Sequence, residues 1–124
     1  MTPTLEISPD IAVSFSNSAL SYRPNEDVYV AIIDFEGYAN DLLHKISGPW
    51  PESGQSVAVS RSLTFRDEEG VASCDSTIAF SLIGRPGDED LIAKATMFFG
   101  AESDFERFKR FLERYAKANG LRVF

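Results

Sequence analysis

The sequence holds one cysteine and one histidine. A lone cysteine excludes an internal disulfide framework, and a lone histidine excludes a zinc site built on several imidazoles. Apolar runs are short, and none approaches the roughly 18 residues that a bilayer-crossing helix needs. The opening stretch, Met1–Asp10, lacks the basic and apolar regions of a secretory signal. Glycosylation acceptors are missing too, since Asn17, Asn25, Asn40 and Asn119 have no hydroxyl residue two positions on. These absences predict a cytoplasmic chain that does not use a membrane. Also missing are G-x-S-x-G, Walker, G-x-G-x-x-G and H-E-x-x-H patterns. That lowers the expectation of an enzyme, and no cofactor or metal is expected.

Positive charge is scarce. Twelve Lys+Arg stand against 19 Asp+Glu, for a net charge of −7 over 124 residues. Phosphates would be repelled, which disfavours nucleic acid as a partner. The imbalance is uneven. Residues 1–101 hold 6 basic and 15 acidic residues, whereas residues 102–124 hold 6 and 4. The chain is an acidic body with a basic C-terminal segment. With 44% hydrophobic and 25% charged residues it reads as globular. Its length suits a single domain over 1–124 that needs no metal or disulfide to hold a core.

Periodicity assigns most of the first hundred residues to strands. Ile11, Val13 and Phe15 alternate with small residues. Leu20 and Tyr22 lead into the turn signal Arg23-Pro24-Asn25-Glu26-Asp27. Val28–Ile33 is apolar on both faces, as in a covered strand. Residues 38–46 read as a short helix or an irregular excursion, and Gly48-Pro49-Trp50-Pro51 breaks regular structure. In 56–66, Val57, Val59, Leu63 and Phe65 share one face. In 71–83, Ala72, Cys74, Ile78, Phe80 and Leu82 do the same. A four-residue loop, Asp67–Gly70, sets a register in which paired positions sum to 137. After the loop 84–90, the strand 91–99 joins at pairing sums of 173, through Leu91, Ala93, Ala95, Met97 and Phe99. At the C-terminus, Phe105, Phe108, Phe111, Leu112, Tyr115 and Ala116 follow helical spacing. Ser103 and Glu106 suggest a capping box, and Gly120 with Leu121 a C-terminal stop. Leu121-Arg122-Val123-Phe124 would add a short strand or cover the core. The expected fold class is α+β: an antiparallel β-sheet of about five to six strands, with a meander at 56–99, packed by one C-terminal amphipathic helix at 103–119.

Several residues stand out from this pattern. Arg61 falls on the apolar face, opposite Ser76 and with Met97 beyond. A buried arginine must pair or reach water. It is an anion anchor between sheet and helix, a structural salt bridge, or a side chain turned out by a bulge. Arg107, Arg110, Arg114 and Lys117 form a basic stripe on the helix. Glu106 and Glu113 stand four before Arg110 and Lys117, which leaves Arg107 and Arg114 free for a ligand or partner, or simply solvated. Trp50, the only tryptophan, is either a rigid hot spot between prolines or a cap on the core.

The acidic groups Asp67-Glu68-Glu69 and Asp88-Glu89-Asp90 read as solvated hairpin tips. Asp34, Glu36 and His44 make the one acid–base set within reach in sequence. Cys74 alternates with core residues and reads as a small buried hydrophobe. The outward face of the meander is rich in hydroxyls: Ser60, Ser62, Thr64, Ser73, Thr77 and Ser81, with Asp75 as its charge. A face so poor in charge is either a docking surface or plain solvated sheet.

Size and charge together suggest a protein-binding protein: an inhibitor, an immunity or anti-defence protein, or a chaperone or adaptor that blocks its partner sterically. The partner would be another protein with a basic surface, steered by the acidic loops, or a second copy of the chain. Its surface would draw on Trp50, Ser62, Thr64, Asp67, Glu68, Glu69, Asp75, Asp88 and Glu89. The alternative is a small-molecule binder or enzyme, with an anionic ligand held by Arg61, Ser76, Arg107 and Arg114.

Overall fold

A computed structural model describes residues 2–7, 11–15, 17–35, 39–46, 50–85 and 87–121. Four strands come first: β1 (Thr4–Ile7), β2 (Ile11–Val13), β3 (Asn17–Arg23) and β4 (Val28–Asp34). Helix α1 (Ala39–Ile46) follows, then β5 (Ser56–Asp67), β6 (Gly70–Arg85), β7 (Asp88–Phe99) and helix α2 (Glu102–Ala118). The fold is α+β. All strand pairings are antiparallel, in one sheet of order β2-β1-β5-β6-β7-β4-β3.

Seven strands exceed the five or six expected. The addition is β1, which spans four residues, whereas β2 holds the Ile11–Val13 alternation already read as a strand. Four residues give too few alternations to be read, yet Leu5 and Ile7 of β1 are fully buried. The meander has the expected register. Phe65 faces Ala72, Leu63 faces Cys74, Val59 faces Ile78 and Val57 faces Phe80. Arg61 faces Ser76, and Ser76 faces Met97. Both hairpins are longer than expected. Strand β5 runs to Asp67, which pairs with Gly70, so the loop is two residues rather than four. Likewise, Arg85 pairs with Asp88, and Pro86 lies outside the described residues.

The inner face of the sheet supplies Leu63, Phe65, Ile78, Phe80, Ala93, Ala95, Met97 and Phe99 to the core. Helix α1 adds Ala39, Leu42, Leu43 and Ile46, which recur at helical spacing and are buried. It was not among the expected helices of the fold class, although 38–46 was a candidate; Tyr38 lies outside the described residues. The expectation of a sheet packed by one C-terminal helix is therefore met in part. The rings of α2 gather at particular points. Phe108 and Phe111 each lie 5.2 Å from Phe65, Phe105 lies 4.9 Å from Tyr29, and Tyr115 stacks on Phe15 at 4.2 Å. The Phe15 backbone N–H donates to the Tyr115 hydroxyl at 3.2 Å.

The ends of α2 differ in their fit to expectation. The helix begins at Glu102 with Ala101 as its N-cap, and no side chain caps it. The Ser103 capping box is therefore not formed, because Ser103 already lies inside the first turn. At the other end Gly120 adopts φ +69°, and the Leu121 N–H donates to the Ala116 carbonyl at 2.8 Å. This is the bond that closes a Schellman-type stop, which needs a residue tolerant of left-handed backbone. Residues 122–124, a candidate final strand, lie outside the described residues.

Candidate functional site

The turn between β5 and β6 is where the two charge blocks meet. Asp67 is 1% exposed. Arg107 donates to both its oxygens, at 2.9 and 2.7 Å, and to the Gly70 carbonyl at 3.1 Å. Arg114 donates to the same carboxylate at 3.0 Å and pairs with Glu68 at 2.9 Å. Arg110 makes a bidentate pair with Glu69, at 2.8 and 2.9 Å, and Arg114 also bonds Glu69. Spacings of three and four place all three arginines on one side of α2. Burial pushes the Asp67 carboxyl up, but Arg107, the Glu69 backbone N–H and Arg114 outweigh it and hold it below its ordinary value. The Glu69 carboxyl is held at about 2, by Arg110 first and then Arg114.

Two sequence expectations are corrected here. Asp67 at the start of the acidic triplet is buried and Glu69 is held by two arginines, while Glu68 stays exposed, so the triplet is not simply a solvated tip, and Arg107 and Arg114 are not free for a ligand. A planar guanidinium matches a carboxylate in a bidentate fork, so each block satisfies the other. Nor do the expected pairs within α2 dominate: Arg110 binds Glu69, while Glu106 faces Lys109 at 3.4 Å. The cluster is a clasp between helix and hairpin.

Arg61 stands elsewhere on β5, partly buried. Its guanidinium donates to the carbonyls of Ser60 at 2.9 Å and Ile46 at 3.5 Å. The Ser76 hydroxyl donates to the Arg61 carbonyl at 2.7 Å. Arg61 and Ser76 are thus brought together, apart from the Arg107–Arg114 pair. The acid–base set is scattered: Asp34 ends β4, His44 is exposed on α1, and Glu36 lies outside the described residues. Cys74 is partly buried against the core, and burial pushes its thiol up to about 12. Among the described residues no group of His, Cys, Asp and Glu could hold a metal ion.

The outward face of the meander is built as its alternation implies. Hydroxyls pair across β5 and β6: Ser56 with Ser81 at 2.6 Å, and Thr64 with Ser73 at 3.0 Å. The Ser62 hydroxyl approaches Asp75 at 3.5 Å. Phe98 of β7 sits among them, 41% exposed, at a shallow hollow of about 370 Å³. Ser60, Ser62, Asp75 and Thr77 line the same hollow. The Arg23 guanidinium lies 5.7 Å from the Phe98 ring centre. Sequence reading had the hydroxyls but missed Phe98, which the 173 register places directly beside Asp75 on that face.

Trp50 is 57% exposed and does not cap the core. Gly48 and Pro49 lie outside the described residues, while Pro51 is buried. Glu89 is half-buried and accepts a hydrogen bond from the Ser53 hydroxyl, whereas Asp88 is exposed at the hairpin end.

Strands β5 to β7 and helix α2 are also the part of the chain with recognisable relatives. The model of the family described as "Psb28 protein" matches residues 51–123, more than half of the chain. The chain belongs to the Psb28 family. A curated relative from Prochlorococcus marinus (strain MIT 9211), described as "Photosystem II reaction center Psb28 protein", is 46% identical over 59 residues. The alignment takes in 48% of this chain and 47% of that relative, about half the length of each. No solved structure matches the chain. Family membership overturns the inhibitor, immunity and anti-defence reading. Small size and acidity are shared by many unrelated proteins, whereas the family match rests on the order of residues along β5–α2. Among the described residues no helix is long and apolar enough to cross a membrane.

Proposed function

We propose that this chain binds a protein component of photosystem II through the outward face of β5–β7, centred on Phe98. The observation that carries the reading is the coincidence of the family match, residues 51–123, with the strands that build this face. The relative's description names photosystem II. The face itself offers what a docking surface needs. Phe98 is an exposed aromatic anchor, and the surrounding hydroxyls are small and uncharged, so a partner can approach without displacing strongly hydrated groups. Asp75 and Arg23 at its margin set orientation. A cytoplasmic chain that meets this complex from outside the bilayer is part of the same proposal.

The test is co-sedimentation or pull-down of the full chain with detergent-solubilised photosystem II. Phe98→Glu is expected to abolish capture while leaving the thermal midpoint nearly unchanged, since Phe98 faces outward. Arg107→Ala is expected to lower the midpoint yet bind normally while folded. Capture that survives Phe98→Glu unchanged refutes the role of this face, and failure of the unmodified chain to be captured refutes the reading as a whole.

A further inference from the structure

Around the β6–β7 hairpin, where it runs beside α1, lies a larger hollow, of about 600 Å³. It is bounded by Ala39 and Asn40 of α1, by Trp50, and by the β6–β7 hairpin at Leu82, Glu89 and Leu91. Its size falls in the range of ligand and side-chain pockets. Three features set its chemistry. First, Trp50 presents more than half of its surface to water, although tryptophan is ordinarily well covered in a folded chain. Second, the charged residues on its wall, Glu89 and Asp90, are both acidic, and no Lys or Arg lines it among the described residues. The Ser53 hydroxyl fixes the Glu89 carboxylate. Third, Leu82 and Leu91 supply an apolar floor where they pair across the hairpin.

An exposed indole beside carboxylates over an apolar floor matches one kind of guest. A lysine or arginine lays its aliphatic stem on leucine and its cationic head against Glu89, on the Leu91 face of β7, and over the indole face, with Asp90 adding negative charge from the next position. An anionic guest would meet Glu89 and Asp90 directly. Ala39 and Asn40 open α1, whose N-terminal dipole carries partial positive charge, but Asp41 stands in that same first turn and offsets it. The surrounding body is strongly acidic: residues 1–101 carry 15 acidic against 6 basic residues. We propose that the Trp50–Glu89–Asp90 hollow is a second docking site, which takes a lysine or arginine side chain from a basic segment of a partner protein. It is separate from the Phe98 face and does not depend on that reading.

Trp50 is the sole tryptophan, so its fluorescence reports this hollow and nothing else. The experiment titrates the full chain with a hexalysine peptide, a hexaglutamate peptide and an uncharged Gly-Ser peptide of equal length. A saturable change in Trp50 emission is expected with hexalysine alone, weakened by added salt. Glu89→Gln together with Asp90→Asn should weaken it roughly tenfold, without altering the circular dichroism spectrum. Phe98→Glu should leave the titration unchanged, which separates this site from the Phe98 face. No response to hexalysine, an equal response to the uncharged or acidic peptide, or an undiminished response in the double variant would each overturn the proposal.

Discussion

Arg107 and Asp67 are 40 residues apart in the chain and share two hydrogen bonds, of 2.7 and 2.9 Å. Around this pair the basic helix is tied to the acidic hairpin turn. The Asp67 side chain has no exposure, while Arg107 and Arg114 keep 14% and 28% of theirs. The Arg107 guanidinium also lies 5.2 Å from the centre of the Phe65 ring, so the ion pair rests on the aromatic cluster beneath it.

Asp67→Asn should therefore be costly. The amide keeps the shape but loses the charge that two arginines share, and it cannot accept both forks of Arg107. A loss of about 2–3 kcal/mol in unfolding free energy is expected, below the cost of stranding fully buried charges because both arginines retain some water. Arg107→Lys should recover little of the Arg107→Ala loss, since an ammonium cannot form the fork. Urea unfolding of the single and double variants measures the coupling. Additive losses for Asp67→Asn and Arg107→Ala would show that the two do not act as a unit.

The clasp also fixes how stability varies with pH. Glu69 has an ordinary carboxyl value of 4.5 and is held at about 2 in the fold. Asp67 is lowered from 3.8. Both are depressed in the native state, so the stability they contribute is present above the unfolded values and lost as pH falls through the folded ones. The urea midpoint should stay level from neutral pH to about 5 and then decline toward pH 2. In Glu69→Gln the decline should be shallower, because one of the two titrating groups is gone. An unchanged slope in that variant would exclude Glu69 as a source of the acid sensitivity.

Much of this architecture was legible in sequence, and the clasp shows where legibility stopped. Hairpins are local, so one loop fixes a register, and the pairing of Leu63 with Cys74 or Leu82 with Leu91 follows from alternation alone. Pairings between distant strands carry no such mark. Nothing local in Thr4–Ile7 says that it joins β5, or in Val28–Asp34 that it joins β7. The charged residues of the clasp were all visible as an acid triplet and a basic stripe. The triplet is read as a solvated tip, Arg110 as the partner of Glu106, and Arg107 and Arg114 as free for a ligand or solvated, because charge on a turn or helix face ordinarily finds a local partner or water. The available signal was the opposite sign of the two blocks, together with three arginines spaced to one side of a helix. Phe98 went unread as a surface residue for a similar reason: an aromatic next to Phe99 at a strand end reads as core, although neighbours on a strand face opposite ways.

Gly84 should be far less replaceable than Gly70, although both adopt positive φ. A Cβ at Gly84 would stand 2.6 Å from the Asp88 carbonyl oxygen, a backbone atom that cannot swing aside. At Gly70 a Cβ would meet nothing within 4 Å. Gly70→Ala is expected to cost about 1 kcal/mol from backbone strain alone, and Gly84→Ala about 3 kcal/mol, because the β6–β7 hairpin must also shift. Urea unfolding ranks the two, and equal losses would mean the hairpin absorbs the methyl group freely.

Cys74 should be chemically quiet in the folded chain. Burial is the main cause of its raised thiol value, about 12, and the neighbouring Asp75 carboxylate adds to it. Only the thiolate is an effective nucleophile, and at neutral pH such a group is ionised to about one part in 100,000. Iodoacetamide should therefore label the native protein at least about a hundredfold more slowly than the urea-unfolded chain. Asp75→Asn tests the order of the two causes. Since burial dominates, removing the carboxylate should speed native labelling only slightly, whereas Asp67→Asn should speed it more by loosening the helix over this end of the sheet. Native labelling as fast as in urea would show that the thiol is not held in the core. A large acceleration in Asp75→Asn alone would put electrostatics ahead of burial.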